Sequence, residues 1–442
     1  MTRNFLLLFF GAMFFNMNYT LYFLVPFYLE LRGMSESFYG AVAGTFGLAT
    51  FVSVMLLGHL GDTWQRKWSV LIYMAVSMVG NLIAVLAIRG APEWYFAVRA
   101  LHGVTAGLGF PLIYAWSVDL GPPERRVEVL AYMGVGFFFA TYLGPFVGEL
   151  ILSWQPDPNN PDAYLAVFQS TLVIGLISML LLLLADRSTA PPTGHLAWSG
   201  ITSVLFRKAT AMQLLTVLIF GGGFGIFFAF GKNFSAQQGL NLASVLFGGY
   251  AVGSVITRLA IRPAINLLGA AALIPIGFTG FFLGYLVLAV AGGYFTMGIS
   301  GVLCGLSHGL MAPSLTARLL ELQRHDEMGR VTILMQGFWG GGAGLFPYLG
   351  GFVLELVSFR TLYLLMAGLF IVGILINIYV GRIAPQQIAR IRAMSTPGAV
   401  APAAAGFASA AAPAVTAAAS AGLPGRTGIT RVVVLRRPRG VS

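Results

Sequence analysis

Residues Gly58 to Lys67 read GHLGDTWQRK, and they set one aspartate, one arginine and one lysine between two long apolar runs. Charge is scarce here: of 442 residues, 57% are hydrophobic and 9% charged, and the mean hydropathy is +0.82. A soluble domain carries about 25% charged residues. The charges that exist fall in short clusters, separated by runs of about 20 apolar residues, the length a helix needs to cross a bilayer. Helices are expected because backbone polar groups in lipid must be satisfied within their own segment. Runs such as LISMLLLLLA (176–185) do not alternate as the strands of a membrane barrel must.

Working outward from that stretch, the apolar runs mark twelve helices. Six lie near 5–29, 38–60, 68–89, 94–118, 128–152 and 164–185; six more lie near 211–231, 242–258, 264–287, 290–316, 328–353 and 359–381. The first run is too long for a removable signal peptide and lacks a small-residue cleavage pattern. The longest break, 186–210, separates the two sets, and its apolar end is expected to form a short helix at the membrane surface. The sets also resemble each other. RRVEVLAYMGVGFFFATYLGPFVGEL (125–150) matches MGRVTILMQGFWGGGAGLFPYLGGFVLEL (328–356), with Gly134 opposite Gly337 and Gly148 opposite Gly351. The expected fold is an all-α polytopic membrane protein of two pseudo-symmetric six-helix bundles, 1–185 and 211–385, joined by a cytoplasmic linker. Repeated six-helix halves are a transporter architecture. The Ala/Pro-rich stretch 386–442, ending in basic residues, is expected to be a disordered cytosolic tail that can meet anionic headgroups or a partner.

The net charge of +11 is read as topology rather than nucleic-acid binding. With the N-terminus inside, most arginines and lysines fall on the inner side, against Arg32, Arg89, Lys232 and Arg360 outside. Both termini are therefore expected to be cytoplasmic, in a bacterial inner membrane. The single cysteine, Cys304, excludes an internal disulfide and a thiolate metal cage. No Gly-Lys-Ser/Thr phosphate loop is present, and His59, His195 and His325 lack metal-ligand spacing, so neither a cofactor nor an enzyme is expected.

GHLGDTWQRK resembles the loop between the second and third helices of the major facilitator superfamily. Gly58, Asp62, Arg66 and Lys67 fit that loop, while Thr63 and Gln65 replace a basic residue and a turn glycine. RALHGVTAGLG (99–109) resembles the family's Arg-x-x-Gln-Gly helix, with His102 for glutamine. YLGPFVGE (142–149) resembles the Gly-Pro-x-x-Gly-Gly motif of its exporters, with Glu149 for the last glycine. The resemblance implies halves that rock between two open states. In the loop, Asp62 is placed to accept from backbone N–H groups at the start of a facing helix or to pair with a basic residue, a bond that exists only when the halves close on that side. Gly144, Pro145 and Gly148 are expected to bend and closely pack the fifth helix.

Polar groups at membrane depth are costly and mark cavities. Asn18, Arg99, His102, Lys232 and His308 are the candidate substrate contacts; Asn16 is weighed beside Asn18 and ranked below it. Glu149 and Glu355 are the candidate proton-coupling carboxylates, Glu149 with Arg99 as a partner. The main expectation is secondary transport of a small solute, export preferred and coupled to protons. Two alternatives stay open: an importer or uncoupled facilitator of a small anionic solute or metal complex, and a non-transporting assembly or sensory protein on the same fold.

Overall fold

The structure, a computed structural model, describes residues 2–58, 64–121, 125–188 and 201–394. Asp62, the middle of the linker and the Ala/Pro-rich tail from 395 onwards lie outside the described residues.

Twelve long helices carry the described chain. In the first half they are α1 (Arg3–Leu31), α2 (Glu36–Leu57), α3 (Arg66–Leu86), α4 (Trp94–Leu120), α5 (Arg126–Ser153) and α6 (Tyr164–Leu184). In the second they are α7 (Lys208–Gln237), α8 (Ser244–Leu268), α9 (Ala270–Ala289), α10 (Tyr294–Glu321), α11 (Met328–Leu354) and α12 (Phe359–Met394). Eleven are long and apolar enough to cross a membrane; the glycine-rich α11 completes the set. The chain is an all-α polytopic membrane protein. A short helix, Ile201–Leu205, stands in the linker.

Local chemistry sets the helix ends. Thr2 and Ser35 cap α1 and α2, each side chain accepting from a backbone N–H three residues on. Inside α1 the ladder tightens to a 3-10 turn at Leu21–Leu24, just before Pro26, whose ring nitrogen cannot donate. Between α8 and α9 a single residue, Gly269, makes the turn at φ +76°, a conformation glycine adopts freely.

The sequence reading ended the eighth helix at 258, at its arginines. The structure carries α8 through Arg258, Arg262 and Pro263 to Leu268. Charge was taken there as a helix end at the membrane surface; instead both arginines line the cavity between the halves, Arg262 from an exposed position. Likewise α12 runs past 385 to Met394, where Gln387 donates to Thr210 and to the Leu322 carbonyl, each at 3.0 Å.

The halves meet along two seams, α2 against α11 and α5 against α8. The first is a glycine seam. A Cβ on Gly47 would lie 2.2 Å from the Gly344 nitrogen, and one on Gly44 would lie 2.5 Å from the Gly344 carbonyl oxygen. Backbone meets backbone there, as small residues permit in lipid.

Candidate functional site

A cavity of about 470 Å³ lies between the halves. Its walls come from α1, α2, α4 and α5 of one half and α7, α8, α10 and α11 of the other; α3, α6, α9 and α12 stand outside it. The lining reaches Gly58 at the end of α2, Asn266 near the end of α8 and Thr332 near the start of α11. These helix ends belong to the face that carries the linker. Deep in the cavity lie Pro26, Ala43, Arg99 and Pro347. The cavity thus opens towards the linker face.

Its charged groups are few and, among the described residues, of one sign. Three arginines line it, Arg99, Arg258 and Arg262, and no aspartate or glutamate does among the described residues. Arg99 is 5% exposed, and its guanidinium lies 4.5 Å from the Phe46 ring centre and 6.0 Å from that of Tyr22. Arg258 lies over Phe138 at 5.4 Å. His308 lines the cavity and its Nδ1 meets the Tyr250 hydroxyl. Asn16 lines it too, donating to the Phe137 carbonyl at 2.8 Å. Twelve aromatic residues also line it among the described residues, including Tyr22, Phe138, Phe224 and Trp339.

The far face is closed by bonds between the halves. Glu149 of α5, 5% exposed, accepts from Lys232 Nζ of α7 at 2.9 Å. It also accepts from the backbone N–H groups of Ala243 at 2.8 Å and Ser244 at 3.0 Å, the start of α8. Those N–H groups have no partner inside their own helix, and the helix dipole favours the carboxylate. Nearby, Asn233 of α7 donates to Glu30 of α1 at 2.5 Å. The Ser37 N–H of α2 donates to Glu355 after α11 at 3.3 Å. Hydrogen bonding to Ser37 holds the exposed Glu355 carboxyl below the ordinary carboxylate range.

Apart from Gly58, the other candidates among the described residues are placed away from the cavity lining. Asn18 donates to Ser77 at 2.8 Å and accepts from Asn81 at 2.7 Å. His102 Nε2 meets Asn81 Oδ1 at 3.0 Å. These groups tie α1, α3 and α4 together. Lys232 belongs to the far-face seal, and Glu149 pairs with it rather than with Arg99, beside which no carboxylate lines the cavity among the described residues. Arg66 pairs with Asp119 and donates to the Ala115 carbonyl at 3.2 Å. Lys67 donates to the carbonyls of Leu183 and Ala185 at 2.7 and 2.6 Å. These bonds fasten the start of α3 to the ends of α4 and α6 within the first half. Gly144 and Gly148 seat α5 on α1: a Cβ on Gly144 would lie 2.2 Å from Thr20 Oγ1. Gly58 lies at the cavity mouth, and Pro145 sits inside α5.

Sequence reasoning missed Arg258 and Arg262 as cavity residues, having counted them as topology anchors. One signal was available: two arginines four apart, on one helical face, with no acid to pair them.

Two crossed seams, eight lining helices and a cavity open on one face make up a carrier geometry. The sequence profile of the Major Facilitator Superfamily matches residues 5–247 and 233–424. The chain belongs to the major facilitator superfamily. Multidrug resistance protein 2 of Bacillus subtilis is 21% identical over 340 residues, 75% of this chain and 84% of that protein. The crystal structure of the nucleoside transporter NupG superposes with a TM-score of 0.69 at 16% identity, covering 86% of this chain and 99% of that one. That of the human organic anion transporter MFSD10 gives 0.59 at 16% identity, covering 85% and 99%. Other curated relatives are matched over less of their length; the chain spans 30% and 41% of two from Bos taurus. As a member of the superfamily, the chain is a multi-pass integral membrane protein with the superfamily's fold.

Proposed function

We propose that this superfamily member carries a small anionic solute by alternating between the state described above and one open to the far face. The observation that carries this reading is the cavity wall: three arginines, no lining carboxylate among the described residues, and an Arg99 Nη1 that is buried without a hydrogen-bond partner. An unpaired charge at membrane depth costs several kcal/mol, about 3 on insertion scales, and an anion relieves that cost. The likeness to a solved organic anion transporter points the same way. No titrating acid lines the cavity among the described residues, which favours a facilitator or importer, the solute moving down its own gradient, over proton-driven efflux. Antiport is the second reading, and Glu149 carries it: a proton on this carboxylate would release Lys232 and the α8 N-terminus together. In the proposed orientation the linker face is cytoplasmic, because the basic residues favour it. The units 1–185 and 211–385 rock about the α2–α11 and α5–α8 seams, and the basic tail is left for a lipid or protein partner.

The test is flux into proteoliposomes holding the purified protein, with radiolabelled organic anions, cations and neutral solutes of similar size. Uptake of anions alone is expected, down a gradient and without an imposed proton gradient, and Arg99→Gln should lower it tenfold or more. Preference for cations would overturn the reading. Uptake that requires a proton gradient, and is lost in Glu149→Gln, would favour antiport.

A further inference from the structure

Two guanidinium groups of the cavity each hold a buried nitrogen that lacks a partner among the described residues, and they come from opposite halves: Arg99 Nη1 on α4 and Arg258 Nε on α8. They stand at different depths. Arg99 lies one to two turns from the far-face start of α4 at Trp94, and Arg258 lies about three turns from the linker-face end of α8 at Leu268. With a rise of 1.5 Å per residue, their backbones are separated along the helix axes by on the order of 15 Å. Both side chains line the same cavity.

Aromatic rings line the cavity beside each of them. Tyr22 and Phe46 lie under Arg99, and Phe138 lies under Arg258. Phe224 connects the two sides, 6.4 Å from Phe23 of the first half and 5.1 Å from Trp339 of the second. Rings at these separations present edges and faces to a flat guest. A cavity of about 470 Å³ holds one small organic molecule. Two separate small anions would satisfy the arginines but leave the ring wall facing water. One long flat molecule with an acidic group at each end satisfies both.

We infer, resting on the anionic-solute reading above, that the cavity takes an elongated aromatic dianion, with one acidic group on Arg99, the other on Arg258, and the ring body along Phe224 and Trp339. Arg258 is thereby the residue that sets length and second charge. Its seat against the first half is Gly134, where a Cβ would lie 3.4 Å from Arg258 Nε.

The experiment is calorimetric binding to the full chain in detergent at constant ionic strength, with three probes: biphenyl-4,4′-dicarboxylate, biphenyl-4-carboxylate and the aliphatic decanedioate. The aromatic diacid is expected to bind tenfold or more tighter than either of the others. Arg258→Gln should erase its advantage over the monoacid. Arg258→Lys, which keeps charge but loses the planar fork, should retain part of it. Thermal unfolding of each variant confirms that it is folded. Equal binding of the aromatic and aliphatic diacids would overturn the aromatic assignment. A diacid advantage that survives both Arg258 variants would overturn the two-point contact. In either case the anion reading stands. If none of the three acids binds and tetraphenylphosphonium does, the anion reading itself falls.

Discussion

At the residue scale, Glu149 decides more than any other side chain named here. The sequence singled it out because it replaces a glycine in a known motif, and proposed Arg99 as its partner. The partner is Lys232, with two free N–H groups of α8 beside it. The chemistry expected of Asp62, a carboxylate on a facing helix start, is thus found at Glu149 on the opposite face. Removing one member of a buried pair leaves an uncompensated charge and costs about 3–5 kcal/mol. Because this pair bridges the halves, that cost falls on the far-closed state. In a Cys304→Ala background, a cysteine placed at Phe27, whose ring lies 5.5 Å from Lys232 Nζ, reports the far face. Glu149→Gln is expected to raise its labelling by an impermeant maleimide severalfold, and the double variant Glu149→Gln/Lys232→Met should fall back towards the parent. Unchanged labelling in Glu149→Gln would remove the latch from the mechanism. The site residues were only partly legible, because a sequence shows which polar groups are deep but not which way they turn. Asn16 and Asn18 are two apart in α1, about 200° around it. Asn16 therefore faces the cavity while Asn18 bonds to α3.

At the scale of elements, the number and order of helices could be read from hydropathy, because lipid imposes a length and forbids unpaired backbone. Where this failed, it failed at charge. The end assigned to α8 at 258 assumed that arginine marks the surface, whereas a polar cavity inside the bundle lets a helix carry arginine at depth. Glycine marked close packing in α5 and α11, but not which neighbour comes close: Gly144 meets α1, and Gly344 meets α2. The α2–α11 seam gives a sharp test. At Gly47 the three atoms nearest an added Cβ are all backbone, at 2.2 to 2.6 Å, so no side chain can move aside. Gly47→Ala is expected to cost on the order of 1–3 kcal/mol by overpacking, seen as a lower unfolding temperature in detergent. Gly368→Ala, with nothing within 4 Å, is the matched control and should match or slightly exceed the parent, since alanine favours the helix. A Gly47→Ala protein as stable as the control would mean the seam is looser than its backbone distances require.

For the whole molecule, the bonds between halves among the described residues are unevenly spread. Glu149, Glu30 and Glu355 all close the far face, while at the linker face Arg66 and Lys67 fasten helices of their own half and the cavity stands open. The repeat in the sequence implied two equivalent halves; it did not imply which side would be closed, since that depends on a few carboxylates that the repeat does not share. Two halves that turn about α2–α11 and α5–α8 must break the far-face bonds in every transport cycle. Holding those bonds shut should therefore separate binding from passage. In a Cys304→Ala background, cysteines at Glu30 and Asn233, whose side chains meet at 2.5 Å, can be bridged by a short reducible bifunctional thiol reagent. The bridged protein is expected to bind an organic anion from the linker face with unchanged affinity and to carry none across a proteoliposome membrane, with flux restored on reduction. Full flux through the bridged protein would show that the halves need not part on the far face, and alternating access would then have to be abandoned for a path that leaves Glu30 and Asn233 together.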